Sequence, residues 1–145
     1  MNFLAGVGHG NESVNRRTTL YRKVFFLAGI YNMAWGLLTV FYPQWFFDFV
    51  SLPHINHPAF VACLGMAIGL YGILYVHVST SLADGFLIIL VGFTGKILGP
   101  LGVLYLVLTG TWPISSVVLI ITNDLLWLPF FALYLLDYRP QRSLT

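Results

Sequence analysis

Four long apolar runs, separated by short polar breaks, dominate this chain. They predict helices over residues 24–42, 58–78, 86–108 and 114–136. Each run is close to the ~20 residues needed to cross ~30 Å of hydrocarbon. None alternates with the period of two that barrel strands require, so the pattern predicts helices and not a barrel. Pro43 stops the first helix. The stretch QWFFDFVSL that follows is too short to span, and its aromatics with the single Asp48 suit a short segment lying in the headgroup layer. PHINHP leads into the second helix, and STSLADG and TGTWP read as tight turns. Residues 1–20, glycine-rich and polar, read as a flexible tail. Phe3 to Val7 is too short an apolar stretch, with no basic region before it, to read as a cleavable signal peptide. Residues 139–145 read as a C-terminal tail. The expectation is an all-α integral membrane four-helix bundle occupying residues 21–138.

Composition agrees. Of 145 residues, 58% are hydrophobic and 8% charged, against about 25% charged in a typical soluble domain. A soluble fold of this length could not hide so much apolar surface. The net charge of +2 and the lack of a basic patch with spaced aromatics argue against nucleic acid as a partner. The single cysteine, Cys63, excludes an intrachain disulfide and reads as a small apolar packing residue.

The cations set an orientation. Arg16, Arg17, Arg22 and Lys23 precede the first helix, Arg139 and Arg142 follow the fourth, and the connecting loops hold none. Both termini are therefore expected to be cytoplasmic. Trp45 and Trp112 then fall at the outer interface, with Tyr21, Tyr75, Tyr134 and Tyr138 at the inner one.

Small residues recur on two helices. The second run carries Ala62, Gly65, Gly69 and Gly72; the third carries Gly92, Gly95, Gly99 and Gly102. Steps of three, four and three keep each series on one helical face. The small-xxx-small pairs Gly65/Gly69 and Gly95/Gly99 predict close helix packing, and the two helices are expected to pack on each other. The first run has a shorter version, Gly29, Asn32 and Gly36. The competing reading is a glycine-lined cavity for a flat ligand.

Polar residues at mid-depth carry the functional signal. Lys96 lies roughly 15 Å from either end of its helix at 1.5 Å per residue, too far for its side chain to reach water easily. An ammonium there needs a partner. Asp124 sits at the same depth on the next helix, with Asn123 beside it and Asn32 on the first helix. Trp35 and Trp127 each follow a polar group, Asn32 and Asp124, by three residues, which places an indole on the same face. Pro100 and Pro129 each remove a backbone donor close to these charges, so both helices are expected to bend there. Two readings stand: a buried ion pair that fixes helix register, or a polar pocket that binds a small molecule or handles a proton. His54 and His57 lie in a proline-bracketed loop with no third ligand, so no metal site is expected. No phosphate loop, serine elbow or HExxH is present.

The strings YNMAWGLLTVFYPQWFF, GMAIGLYGILY, VGFTGKILGPLG and TNDLLWLPFFALYL resemble a set of small, functionally uncharacterised bacterial four-helix membrane proteins. Those share N-x-x-W-G, G-K-x-x-G-P and N-D-x-x-W segments, and the architecture is distantly similar to DoxX-type proteins. The resemblance implies a bacterial inner-membrane, multi-pass location and no established catalytic residue or cofactor. The leading expectation is a non-catalytic protein: an accessory subunit with a membrane-protein partner or second copy, or a binder of a small lipophilic molecule such as a quinone or lipid. A small oligomeric transporter or proton pathway comes second, and a membrane enzyme with Lys96 and Asp124 as acid and base third.

Overall fold

The computed structural model describes residues 5–140, with side chains from residue 14 onward. Residues 1–4 and most of the expected C-terminal tail, 141–145, lie outside the described residues. Helix α1 covers Ala5–Phe41, the short α2 Trp45–Phe49, α3 Pro58–Thr80 and α4 Phe86–Leu108. The fourth apolar run is broken into a 3-10 turn (Ile114–Ser116), α5 (Val117–Leu119), a π-helical turn (Ile120–Leu125) and α6 (Leu128–Asp137). No strand occurs among the described residues. Four stretches are long and apolar enough to cross a membrane: Val14–Phe41, Pro58–Thr80, Phe86–Leu108 and Ile114–Asp137.

The first helix begins well before residue 21, so residues 5–20 are helical and not the irregular tail expected of them. Nucleation is the costly step in a helix, and the apolar span supplies it; each further residue then adds a hydrogen bond at little cost. Side chains also tie this extension down. Arg17 pairs with Asp137 at 3.2 Å, and the Tyr21 hydroxyl donates to Asp137 at 2.6 Å. Arg22 donates to the Ser79 and Thr80 carbonyls at 3.2 and 3.0 Å, taking up acceptors that the end of α3 leaves open. These contacts put the Arg17–Arg22 stretch of α1 and the end of α6 together at one end of the four apolar spans, the terminal end.

Helix pairing departs from expectation. The glycine face of α3 packs on α1, not on α4. A Cβ built on Gly36 would lie 2.6 Å from the Gly65 carbonyl oxygen and 2.7 Å from Gly69 Cα. One on Gly72 would lie 2.6 Å from the Gly29 oxygen. Gly29 and Gly36 of α1 therefore interdigitate with Gly65, Gly69 and Gly72 of α3, backbone against backbone, as small residues permit where dispersion drives association. Period alone could not say which neighbour this face would meet.

The apolar core fills the terminal half. Tyr21, Phe25, Val78, Ile89, Phe131 and Tyr134 are buried there, with Phe25 edge-on to Phe131 and Tyr134 at 5.3 and 4.9 Å. Tyr134 donates to the Leu82 carbonyl at 2.5 Å. At the opposite, loop end, α2 caps the bundle. Phe46 is buried and its ring lies 5.8 Å from Trp112, while Trp45 meets Trp35 at 4.7 Å. Much of the remaining apolar surface points outward, including Leu27, Phe60, Leu70, Leu98 and Leu136. Cys63 is exposed, so it is not the packing residue expected.

Candidate functional site

Lys96 and Asp124 are both buried, at 5% and 8% exposure, and they face each other at mid-height. Their closest approach, Nζ to Oδ1, is 3.7 Å. That is a Coulombic pair, longer than the 2.7–3.2 Å of an N–H···O hydrogen bond. The ammonium donates instead to the Asn123 carbonyl at 2.5 Å, and lies 5.8 Å from the centroid of Phe131, within cation–π range.

The π-helical turn explains why that carbonyl is open. In a regular α-helix the Trp127 N–H would donate to Asn123, four residues back. Here it donates to the Asp124 carbonyl at 3.1 Å, and the Leu126 N–H reaches five residues back to Ile121 at 3.2 Å. The shift leaves the Asn123 carbonyl for Lys96. Pro129, which has no N–H, removes the regular partner of the Leu125 carbonyl at the same place. Such single π turns recur at functional sites. α4, by contrast, runs through Pro100 without a change of helix type.

A cleft of about 230 Å³ opens beside the pair. Asn32 of α1, Tyr75 of α3, Lys96 of α4, and Asn123 and Asp124 of the π turn supply its polar wall. Gly92, Gly95 and Gly99 of α4 supply a smooth one. A Cβ on Gly92 would strike the Tyr75 ring, one on Gly99 would lie 3.1 Å from Asp124 Oδ2, and one on Gly95 would meet nothing within 4 Å. Gly95 is therefore not the helix-packing residue expected, and Gly99 meets a carboxylate and not a helix backbone. Of the predicted packing pairs, the geometry assigns Gly65 and Gly69 to the α1–α3 contact.

Several polar atoms at the cleft have capacity to spare. Among the described residues the Asn32 carboxamide makes no hydrogen bond, although the residue is only 6% exposed. The Tyr75 hydroxyl likewise has no partner there. Asp124 Oδ1 accepts from Asn123 Nδ2 at 3.2 Å, while Oδ2 accepts no hydrogen bond from the described residues. Lys96 uses one of its three donors on Asn123.

Four of the polar positions singled out in the sequence thus meet at one cleft: Asn32, Lys96, Asn123 and Asp124. The two tryptophans do not line it. Trp35 donates to the Tyr31 hydroxyl at 2.7 Å, and Trp127 donates to the Thr122 carbonyl at 3.2 Å. Tyr75, expected in an interfacial belt, is instead buried at the cleft. Its only sequence signal is its spacing from Gly72 and Gly65 along α3. His54 and His57 gather no metal-ligand set among the described residues.

No family model, curated protein or solved structure matches this chain. The chemistry of the cleft therefore carries the functional reading.

Proposed function

We propose that this chain is a multi-pass protein of a bacterial inner membrane, with both termini cytoplasmic, that binds a small lipophilic molecule in the mid-height cleft. The cations support the orientation: all but Lys96 flank the terminal ends of the first and fourth spans. The outward-facing leucines and phenylalanines support insertion, since apolar surface on this scale marks contact with lipid.

One observation carries the binding role. Lys96, Asp124, Asn32 and Tyr75 converge on one cleft with hydrogen-bonding capacity beyond the contacts they make to the described residues. A pair that served only to fix register would gain from being packed dry and fully satisfied, because unpaired buried polar groups are costly. Binding is favoured over passage along the bundle axis by the aromatic core, whose buried Phe25, Phe131 and Tyr134 fill the terminal half below the cleft.

The test is purification in a mild detergent, followed by mass spectrometry of extracted small molecules. Wild type should carry a compound at near-stoichiometric yield that Asn32→Leu lacks. Equal recovery of every extracted lipid from both proteins would refute the reading.

A further inference from the structure

The cleft opens sideways. Tyr71 and Val91, at its rim on α3 and α4, are exposed, as are Gly95 and Gly99 on its floor. Tyr71, Gly95 and Gly99 lie in the middle stretch of two membrane-length helices, with Val91 about a turn nearer one end, so the mouth faces the same surroundings as the outward-pointing leucines. α3 is committed to α1 through its glycines and meets α4 through Tyr75 on Gly92, which leaves the seam between α3 and α4 open at cleft level.

Charge, size and shape restrict what fits. The site holds one cation and one anion, so its net charge is zero; an anionic head would be forced against Asp124, and a cationic one against Lys96. Burying either unpaired is costly. With donors on Lys96 Nζ beyond the one given to Asn123 and no hydrogen bond from the described residues to Asp124 Oδ2, one hydroxyl oxygen seated beside the pair, not between its atoms, can accept from the ammonium and donate to the carboxylate. Asn32 and Tyr75 can take a second polar atom. The volume of about 230 Å³ exceeds the ~150 Å³ cavity that admits a benzene ring but falls short of the ~300 Å³ at which drug-sized pockets begin. Gly95 puts no side chain into the cleft, and a Cβ there would meet nothing within 4 Å, which leaves space for a ring.

Resting on the binding role proposed above, we infer that the ligand is an uncharged amphiphile with one hydroxyl-bearing six-membered ring. It enters from the hydrocarbon between α3 and α4, seats the ring on Gly95 and bridges Lys96 and Asp124 through its hydroxyl. Its tail stays in lipid.

Native mass spectrometry of the full chain released from detergent micelles tests this with four probes. These are para-heptylphenol, heptylbenzene (ring without hydroxyl), monooleoylglycerol (hydroxyls without ring) and decanoate (anion). The phenol should add one copy to wild type at least tenfold more readily than the other three. Gly95→Leu, whose Cβ meets open space, should fold normally and lose the adduct because its side chain fills the cleft. Wild-type melting in that variant confirms that binding, not folding, is lost. Preference for decanoate or monooleoylglycerol would overturn the ring-hydroxyl class while leaving a lipophilic binder intact. Phenol binding unchanged in Gly95→Leu would overturn the assignment to this cleft. No adduct with any probe, together with no co-purified compound, would overturn both readings.

Discussion

One added methyl group should have opposite effects at two glycines that look alike in the sequence. At Gly36 it would lie 2.6 Å from the Gly65 carbonyl and 2.7 Å from the Gly69 backbone, whereas ordinary contact begins at 3.4 Å. The obstacle is backbone on a facing helix, which cannot rotate away, so α1 and α3 must part by about 0.8 Å. A gap of ~0.5–1 Å forfeits roughly a quarter to a half of each dispersion contact along the seam, and overpacking of this kind costs about 1–3 kcal/mol. Gly36→Ala should fall at the upper end of that range, because glycine-to-glycine packing is what joins these helices. At Gly95 the same methyl meets nothing within 4 Å. Removing a helix-interior glycine there should stabilise by roughly 0.5–1 kcal/mol. Unfolding both variants in mixed micelles with increasing sodium dodecyl sulfate, followed by tryptophan fluorescence, reads the difference directly. A Gly36→Ala midpoint equal to wild type, or equal losses at both positions, would refute the assignment of the α3 glycine face to α1.

The remaining predictions concern polar contacts and topology. Lys96→Met and Asp124→Asn should each cost about 3–5 kcal/mol, because each leaves one charge buried without its partner. The double variant should recover about 0.5–3 kcal/mol of the summed loss, and strict additivity in the same unfolding assay would show that the two residues do not interact. Tyr134→Phe should cost about 0.5–1.5 kcal/mol by removing the shorter of the two hydrogen bonds to the Leu82 carbonyl, which keeps only the Gly85 N–H at 3.4 Å; an unchanged midpoint would mean that water replaces the hydroxyl. Reporter fusions at Asn56 and at the C-terminus should be active outside and inside, respectively. A C-terminal fusion to an enzyme that works only in the periplasm should be silent, and its activity would rule out the proposed orientation.

How much of this protein the sequence determined depends on the range of the interaction. The four long apolar stretches follow from runs of residues that are local in the chain, and their capacity to cross a membrane follows from length and composition. An even number of antiparallel spans returns the chain to its starting end, and Arg17 beside Asp137 is the result. The depth of Lys96 and Asp124 was also legible, because rise per residue converts position into height. Rotation about the helix axis was not. The 3-4-3 spacing gives α3 and α4 equivalent glycine faces, yet one meets α1 and the other borders a cleft. The same ambiguity put Trp35 and Trp127 with the polar cluster, from which packing turns them away toward Tyr31 and Thr122. Tyr75 was placed at an interface by residue type, although its neighbours bury it. The π turn is likewise a tertiary product. Two prolines supply equal local cause for a break, yet α4 runs through Pro100 while the helix before Pro129 rewinds. Only beside Pro129 does the rearranged turn free a carbonyl within reach of a buried ammonium that needs it.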